Sequence, residues 1–172
     1  MKEAEILRSG GVGVVPTDTL YGLLASALNE QAINRVYELK GRASDKKSII
    51  LISSIDDLEA FNVVLTEEQQ KILSRLWPGS VSIVLQGGLA FRLPDDAHLI
   101  SFLKESGPCI APSANPGGLS PAETVEEAKK YFGDKVDFYL DGGKRAGQAS
   151  TLINLDERGN ITILRQGAKQ VV

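Results

Sequence analysis

Short runs rich in Val and Ile, alternating with segments of helical period, constrain this chain more tightly than any other feature of its sequence. Strands are expected at Val12–Val15, Ile49–Ile52, Val81–Leu85, Ala90–Leu93, Cys109–Ala111, Phe138–Leu140, Thr151–Leu155 and Ile161–Arg165. Several of these follow one another with no helix between them, so the sheet must contain antiparallel pairs. The expected class is α/β, a mixed sheet flanked by helices. Helices have clearer edges. Asn29 can cap Glu30–Lys40, in which Ile33, Val36, Tyr37 and Lys40 share one face. Thr66 and Gln69 form a capping box that opens Glu67–Leu76, and Pro78-Gly79 ends it. Thr124 caps Val125–Phe132 with Gly133 as its stop, and a short N-terminal helix ends at Gly10-Gly11.

At 172 residues the chain fits one domain, with no repeat, low-complexity tract or linker to divide it. A formal charge of −3 argues against a surface built as a whole to hold nucleic acid, so any anion site is a local basic pocket. One cysteine excludes an internal disulfide and a thiolate metal cluster, and one histidine removes most zinc constellations. The charged start Met1-Lys2-Glu3-Ala4-Glu5 does not read as a secretory signal, and no apolar run approaches the roughly 18 residues of a membrane span. A cytoplasmic protein without membrane contact is expected.

Five clusters in loops or at strand ends carry the chemically unusual residues. Thr17-Asp18-Thr19-Leu20-Tyr21 crowds hydroxyls and a carboxylate after a strand, a pattern that fits either a binding loop or a self-bonded polar turn. Lys40-Gly41-Arg42-Ala43-Ser44-Asp45-Lys46-Lys47 places four cations in eight residues around a helix-breaking glycine. Such a loop can hold a polyphosphate, although cations also suit a helix C-terminus. Arg92 sits in an apolar strand and needs an anionic partner there, either a structural Asp or Glu or a ligand carboxylate. Ser113 and Asn115 alternate in a Pro- and Gly-shaped loop that suits phosphate or ribose but is also an ordinary turn. Residues 142–151 form a glycine-rich basic loop that could close over an anion.

No Walker A string, no dinucleotide Gly-x-Gly-x-x-Gly and no Gly-x-Ser-x-Gly elbow is present. Cys109 lies in an apolar strand and reads as core packing rather than as a nucleophile. The chemistry left is proximity and charge stabilisation, without a covalent intermediate.

The order of these pieces, together with a Trp-Pro-Gly-x-x-Ser segment and a terminal Leu-Arg-x-Gly, resembles the YrdC/Sua5 family over about residues 10–167. The resemblance implies a twisted α/β sheet around a large, positively charged cavity. It also implies synthesis of threonylcarbamoyl-AMP and pyrophosphate from L-threonine, bicarbonate or CO2, and ATP, for the t6A modification of tRNA that partner proteins complete. Mg2+ would be bound mainly through ATP, with no metal site on the protein.

On this resemblance Lys40, Arg42, Ser113 and Asn115 match the catalytic tetrad around the nucleotide, with Lys46 and Arg165 also on the nucleotide side. Thr17, Thr19, Tyr21, Arg92, Ser150 and Thr151 match substrate positions. The chain departs from the common pattern at Ala43 and at Lys47-Ser48, where many members carry prolines, and at Ser82, where threonine is commoner. Leu51 stands where some relatives have a histidine. Two other functions fit the same pieces: a paralogue acting on another carbamoyl-type substrate, and a non-catalytic module binding tRNA or double-stranded RNA.

Overall fold

The computed structural model describes residues 1–41 and 48–171. Its elements run α1 (Lys2–Arg8), β1 (Val12–Pro16), β2 (Tyr21–Ser26), α2 (Glu30–Lys40), β3 (Ile50–Leu51), α3 (Glu67–Leu76), β4 (Val81–Val84), β5 (Ala90–Arg92), α4 (Ala97–Ser106), β6 (Cys109–Ile110), α5 (Val125–Phe132), β7 (Phe138–Tyr139), β8 (Thr151–Leu155) and β9 (Ile161–Arg165). The described strands form one sheet in the order β7-β1-β2-β6-β3-β5-β4-β8-β9. Pairs β1/β7, β3/β5 and β4/β8 are parallel and the remaining neighbours antiparallel. The mixed sheet and flanking helices expected from the sequence are both present.

The three capped helices form over the expected residues. Asn29, Thr66 and Thr124 each accept a backbone N–H three residues on, satisfying a donor that a helix start would otherwise leave open. Two elements differ from the expectation. β2 begins inside the hydroxyl-rich stretch, because Pro16 pairs directly with Tyr21 and residues 17–20 form a tight hairpin turn. α4 fills a region with no expected element. Its cap is Asp96, which accepts from the backbone of His98 and Leu99, and its buried face is Leu99, Phe102 and Leu103.

Alternation along the strands divides the core between two faces. One face sends Val12, Val14, Leu23, Ala25, Ile50, Ile83, Phe91 and Ile153 into the larger apolar cluster, which α2, α3 and α5 complete with Val36, Leu73 and Ala128. The other face sends Val15, Leu24, Leu51 and Cys109 against Leu7 of α1 and Leu99, Phe102 and Leu103 of α4. Each large aliphatic or aromatic side chain buried this way contributes about 1.5–3 kcal/mol of transfer free energy. This second cluster stops at β3. Beyond it the same face carries Arg92, Ser82 and Leu152, of which Arg92 and Leu152 line a cavity. Among the described residues no helix is long and apolar enough to cross a membrane.

Candidate functional site

The open part of that face, together with adjoining strand ends, forms a cavity of about 820 Å3. That size suits a ligand of nucleotide dimensions. Its described lining includes Thr17, Thr19, Tyr21, Lys40, Arg92, Ser113, Asn115, Ser150 and Arg165, and no carboxylate. Nine of the twelve residues expected from the sequence therefore meet in one place. Thr151 does not line it, and Arg42 and Lys46 lie outside the described residues.

The hairpin turn is held by Thr17. Its hydroxyl donates to the Leu20 carbonyl at 2.6 Å and accepts from the Thr19 and Leu20 amides, which fixes the backbone from 17 to 20. With its proton on a carbonyl and both lone pairs on amides, the Thr17 hydroxyl is fully used, and it lies 3.1 Å from the Thr19 hydroxyl. Thr17 is buried and shapes the turn, while Thr19 stands in the cavity wall. Tyr21 is fully buried, and its phenol donates to the Gly143 carbonyl and accepts from the Gly142 amide. The glycine-rich loop is thus pinned to the start of β2. It lines the cavity through Ala149 and Ser150.

Arg92 finds its anionic partner in Asp18, at 2.6 Å, with both side chains almost fully buried. The pair ties the β1–β2 turn to the end of β5, and Asp18 also accepts the Asp95 amide. Burial pushes the Arg92 guanidinium below its ordinary value, Asp18 opposes this by charge and hydrogen bond, and Arg165 lowers it further. An arginine keeps its proton throughout. The Nε of Arg92 is buried and has no hydrogen-bond partner among the described residues. A desolvated donor without a partner costs free energy that an acceptor reaching it would recover, and Arg92 is among the residues lining the cavity.

At the other side of the cavity Lys40, in the last turn of α2, donates to the carbonyls of Ser113 and Asn115 at 2.6 and 2.7 Å. The Ser113 hydroxyl donates to Asn115 Oδ1 at 2.6 Å, and the Asn115 amide donates to the Leu119 carbonyl. α2 ends because Gly41 turns left-handed (φ 58°). Gly117 packs its amide on the Lys40 carbonyl at 2.7 Å, where a Cβ would approach that oxygen to 2.9 Å. Three members of the expected tetrad are therefore in mutual contact.

The Ser-Thr pair splits. Ser150 faces the cavity, whereas the Thr151 hydroxyl donates to the Lys169 carbonyl and accepts the Gly167 amide, anchoring the segment after β9. Arg165 donates to the Ser150 carbonyl at 2.8 Å and lines the cavity beside it. Cys109 is buried in the smaller cluster, and burial pushes its thiol up to about 12, which suits packing rather than nucleophilic attack. Two residues were missed by sequence reasoning as site components: Asp18, the partner of Arg92, and Ser82, whose hydroxyl touches that of Ser150. The buried arginine was a signal that some acid must lie nearby. Ser82 closes the Trp-Pro-Gly-x-x-Ser segment of the family resemblance, but nothing in that string showed that it would meet Ser150.

The family model described as "Telomere recombination", for Sua5, YciO and YrdC proteins, matches residues 5–167. The chain belongs to the Sua5/YciO/YrdC family. Within it, the threonylcarbamoyl-AMP synthase of Pyrococcus abyssi is 37% identical over 170 residues, covering 90% of this chain and 50% of that protein. The chain thus spans about half the length of this curated relative. The crystal structure of P. abyssi Sua5 complexed with L-threonine superposes with a TM-score of 0.84 at 32% identity, over 96% of this chain and 53% of that one. Escherichia coli YciO superposes with a TM-score of 0.85 over 98% of this chain and 89% of its own, and its 20% identity shows the shared fold alone.

Proposed function

We propose that this chain is an L-threonylcarbamoyladenylate synthase, a nucleotidyltransferase that condenses L-threonine, bicarbonate or CO2, and ATP into threonylcarbamoyl-AMP and pyrophosphate for t6A modification of tRNA. The observation that carries the reading is the meeting, in one cavity, of a buried arginine with an open donor and the Lys40–Ser113–Asn115 corner. A member of the same family is known with L-threonine bound, and a relative at 37% identity bears the synthase name.

In this reading Arg92 takes the carboxylate of threonine, with Thr19 and Ser150 beside it, and leaves the amine free. The amine adds to CO2 and loses a proton, giving a carbamate. A carbamate oxygen then attacks the α-phosphorus of ATP. The new O–P bond forms as the bond to the bridging oxygen breaks, and pyrophosphate leaves with that oxygen and its electron pair. Lys40, Arg42 and Lys46 offset the charge on the phosphates, while Ser113, Asn115 and Arg165 position the nucleotide. The described lining provides cations and hydroxyls and no carboxylate. That donor set fits Mg2+ arriving on the triphosphate, where it would neutralise phosphate charge. Tyr21 acts through the Gly142–Gly143 backbone, and Thr17 through the turn that carries Thr19. A cytoplasmic location and partner proteins that pass the threonylcarbamoyl group to tRNA accompany this function.

Pyrophosphate release, measured with ATP, bicarbonate and each amino acid separately, tests the proposal. Release that requires L-threonine and is lost in Arg42→Ala is the expected result. Release indifferent to threonine, or no release at all, overturns it.

A further inference from the structure

Ser82 and Ser150 form a hydroxyl pair in the cavity wall, with their oxygens 2.7 Å apart. Ser82 lies within β4 at 0% exposure and Ser150, just before β8, at 4%. Of the two only Ser150 lines the cavity. Neither hydroxyl makes any other hydrogen bond among the described residues. Each carries one proton, and their single contact uses one of the two.

The direction of that contact follows from where the second proton is left. If Ser150 donated, the proton of Ser82 would be stranded inside the sheet with no acceptor, an arrangement that costs more than an ordinary hydrogen bond returns. If Ser82 donates, the spare proton belongs to Ser150, which can hand it to a ligand or to water. Ser82 is therefore the donor, and the Ser150 hydroxyl faces the cavity as a donor in turn.

A second hydroxyl of the wall, Thr19, is not committed in this way. Thr17 spends its proton on the Leu20 carbonyl and both lone pairs on the Thr19 and Leu20 amides, so the Thr19 hydroxyl in the cavity wall has no claim made on it by Thr17. The wall thus carries one hydroxyl oriented to give a proton and one free to give or accept. On the giving side stand the unpartnered Nε of Arg92 and the guanidinium of Arg165, which is bound to the Ser150 carbonyl. A zwitterionic amino acid has the matching halves, a carboxylate for the donors and an ammonium or hydroxyl for Thr19.

We propose that Ser82, which no ligand can touch, is a positioning residue that donates its only proton to Ser150 and so fixes the Ser150 hydroxyl as a donor to the carboxylate of the amino-acid substrate. This rests on the synthase reading above. It assigns the buried serine in β4 a part in amino-acid affinity that its burial conceals.

The test compares wild type, Ser82→Ala and Ser82→Thr by calorimetric titration with L-threonine and by the KM values for L-threonine and ATP in pyrophosphate release. Ser82→Ala should weaken L-threonine binding and raise its KM by about tenfold, the effect of one misdirected hydrogen bond to a charged group. The KM for ATP should stay within about twofold of wild type, as for an interaction confined to the other substrate. Ser82→Thr keeps the hydroxyl and should recover wild-type affinity. If Ser82→Ala does not fold, Ser82→Val against Ser82→Thr gives the same contrast at equal shape. A folded Ser82→Ala or Ser82→Val protein that binds L-threonine like its hydroxyl-bearing counterpart overturns the inference alone, as does an equal loss for both substrates. A wild-type chain that binds no L-threonine overturns the synthase reading and this inference together.

Discussion

Leu51 and Arg92 are register partners on adjacent parallel strands and point to the same face of the sheet, yet they belong to different worlds. Leu51 is fully buried under α1 and α4, in a cluster with Leu24, Leu103 and Cys109. Arg92, one strand over, lies outside that cluster, is paired with Asp18 and lines the cavity. Reading across from β6 to β8, the row Cys109, Leu51, Arg92, Ser82, Leu152 leaves the apolar cluster between Leu51 and Arg92 and meets the cavity at Arg92 and Leu152. The covered end is stabilised by apolar contact and has no capacity left over. The open end is stabilised by side-chain pairs, Arg92 with Asp18 and Ser82 with Ser150, and each pair leaves a donor unspent. In the proposed reading, function lies where the sheet face leaves the apolar cluster and its polar groups are only partly satisfied by one another.

Breaking the ion pair should produce the largest effect. Arg92→Ala strands Asp18 as a buried, unpaired carboxylate, which costs about 3–5 kcal/mol. Urea denaturation should show this loss together with the disappearance of threonine-dependent pyrophosphate release. The double variant Asp18→Asn with Arg92→Met sharpens the contrast, because it should recover most of the stability and none of the activity. A stable and active double variant would show that the open end is held and used like the covered one.

At the covered end, the Cys109 thiol provides a chemical probe. Its pKa is pushed up from 9.0 to about 12 by burial, so near neutral pH it carries about a thousandfold less thiolate than an unshifted thiol. Labelling by an aromatic disulfide should be absent in the native protein and appear only as urea unfolds it. Rapid labelling of the folded chain would mean that α4 does not seal this face.

The smallest effect is expected at the outer edge of the sheet, where Asp137 accepts from the Val12 amide and pairs with Arg35. Burial pushes the Asp137 carboxyl up, but the hydrogen bonds from Arg35 and Val12 and the charge of Arg35 outweigh this and leave it below the ordinary carboxylate value. A depressed folded-state pKa gives stability that is fully present above the unfolded value and is lost as the pH falls through the folded one. Both side chains are about one-third exposed, so the contribution at neutral pH should be below about 1 kcal/mol. Thermal melts of wild type and Asp137→Asn should differ most near neutrality and converge in acid. A gap that persists below the folded pKa would assign the effect to something other than the ion pair.

What could be read before the fold was known follows the range of the interactions. The starts of α2, α3 and α5 were legible because Asn29, Thr66 and Thr124 act within three residues of themselves. The start of α4 carries the same kind of signal in Asp96 with Leu99, Phe102 and Leu103, directly after Pro94-Asp95, although no element was expected there. β2 was lost in the hydroxyl-rich string because its first residue, Tyr21, closes the turn and opens the strand at once. Arg92 announced its need for an anion by lying in an apolar strand. The identity of that anion, 74 positions away, did not appear in any local pattern.

By itself the sequence determined the class of sheet, the capped helices, the absence of covalent-catalysis motifs and the set of cations and hydroxyls available for a site. Those properties depend on hydrophobic period, capping and residue type, all of which act over a few residues. Only the tertiary structure decided that Asp18 neutralises Arg92, that Lys40 clamps the Ser113–Asn115 loop, that Thr151 turns away from the cavity, and that Ser82 orients Ser150. Each is a contact between segments brought together by strand order. The direction of a buried hydroxyl is then set by which neighbouring acceptors remain, and chain-local patterns carry no record of that.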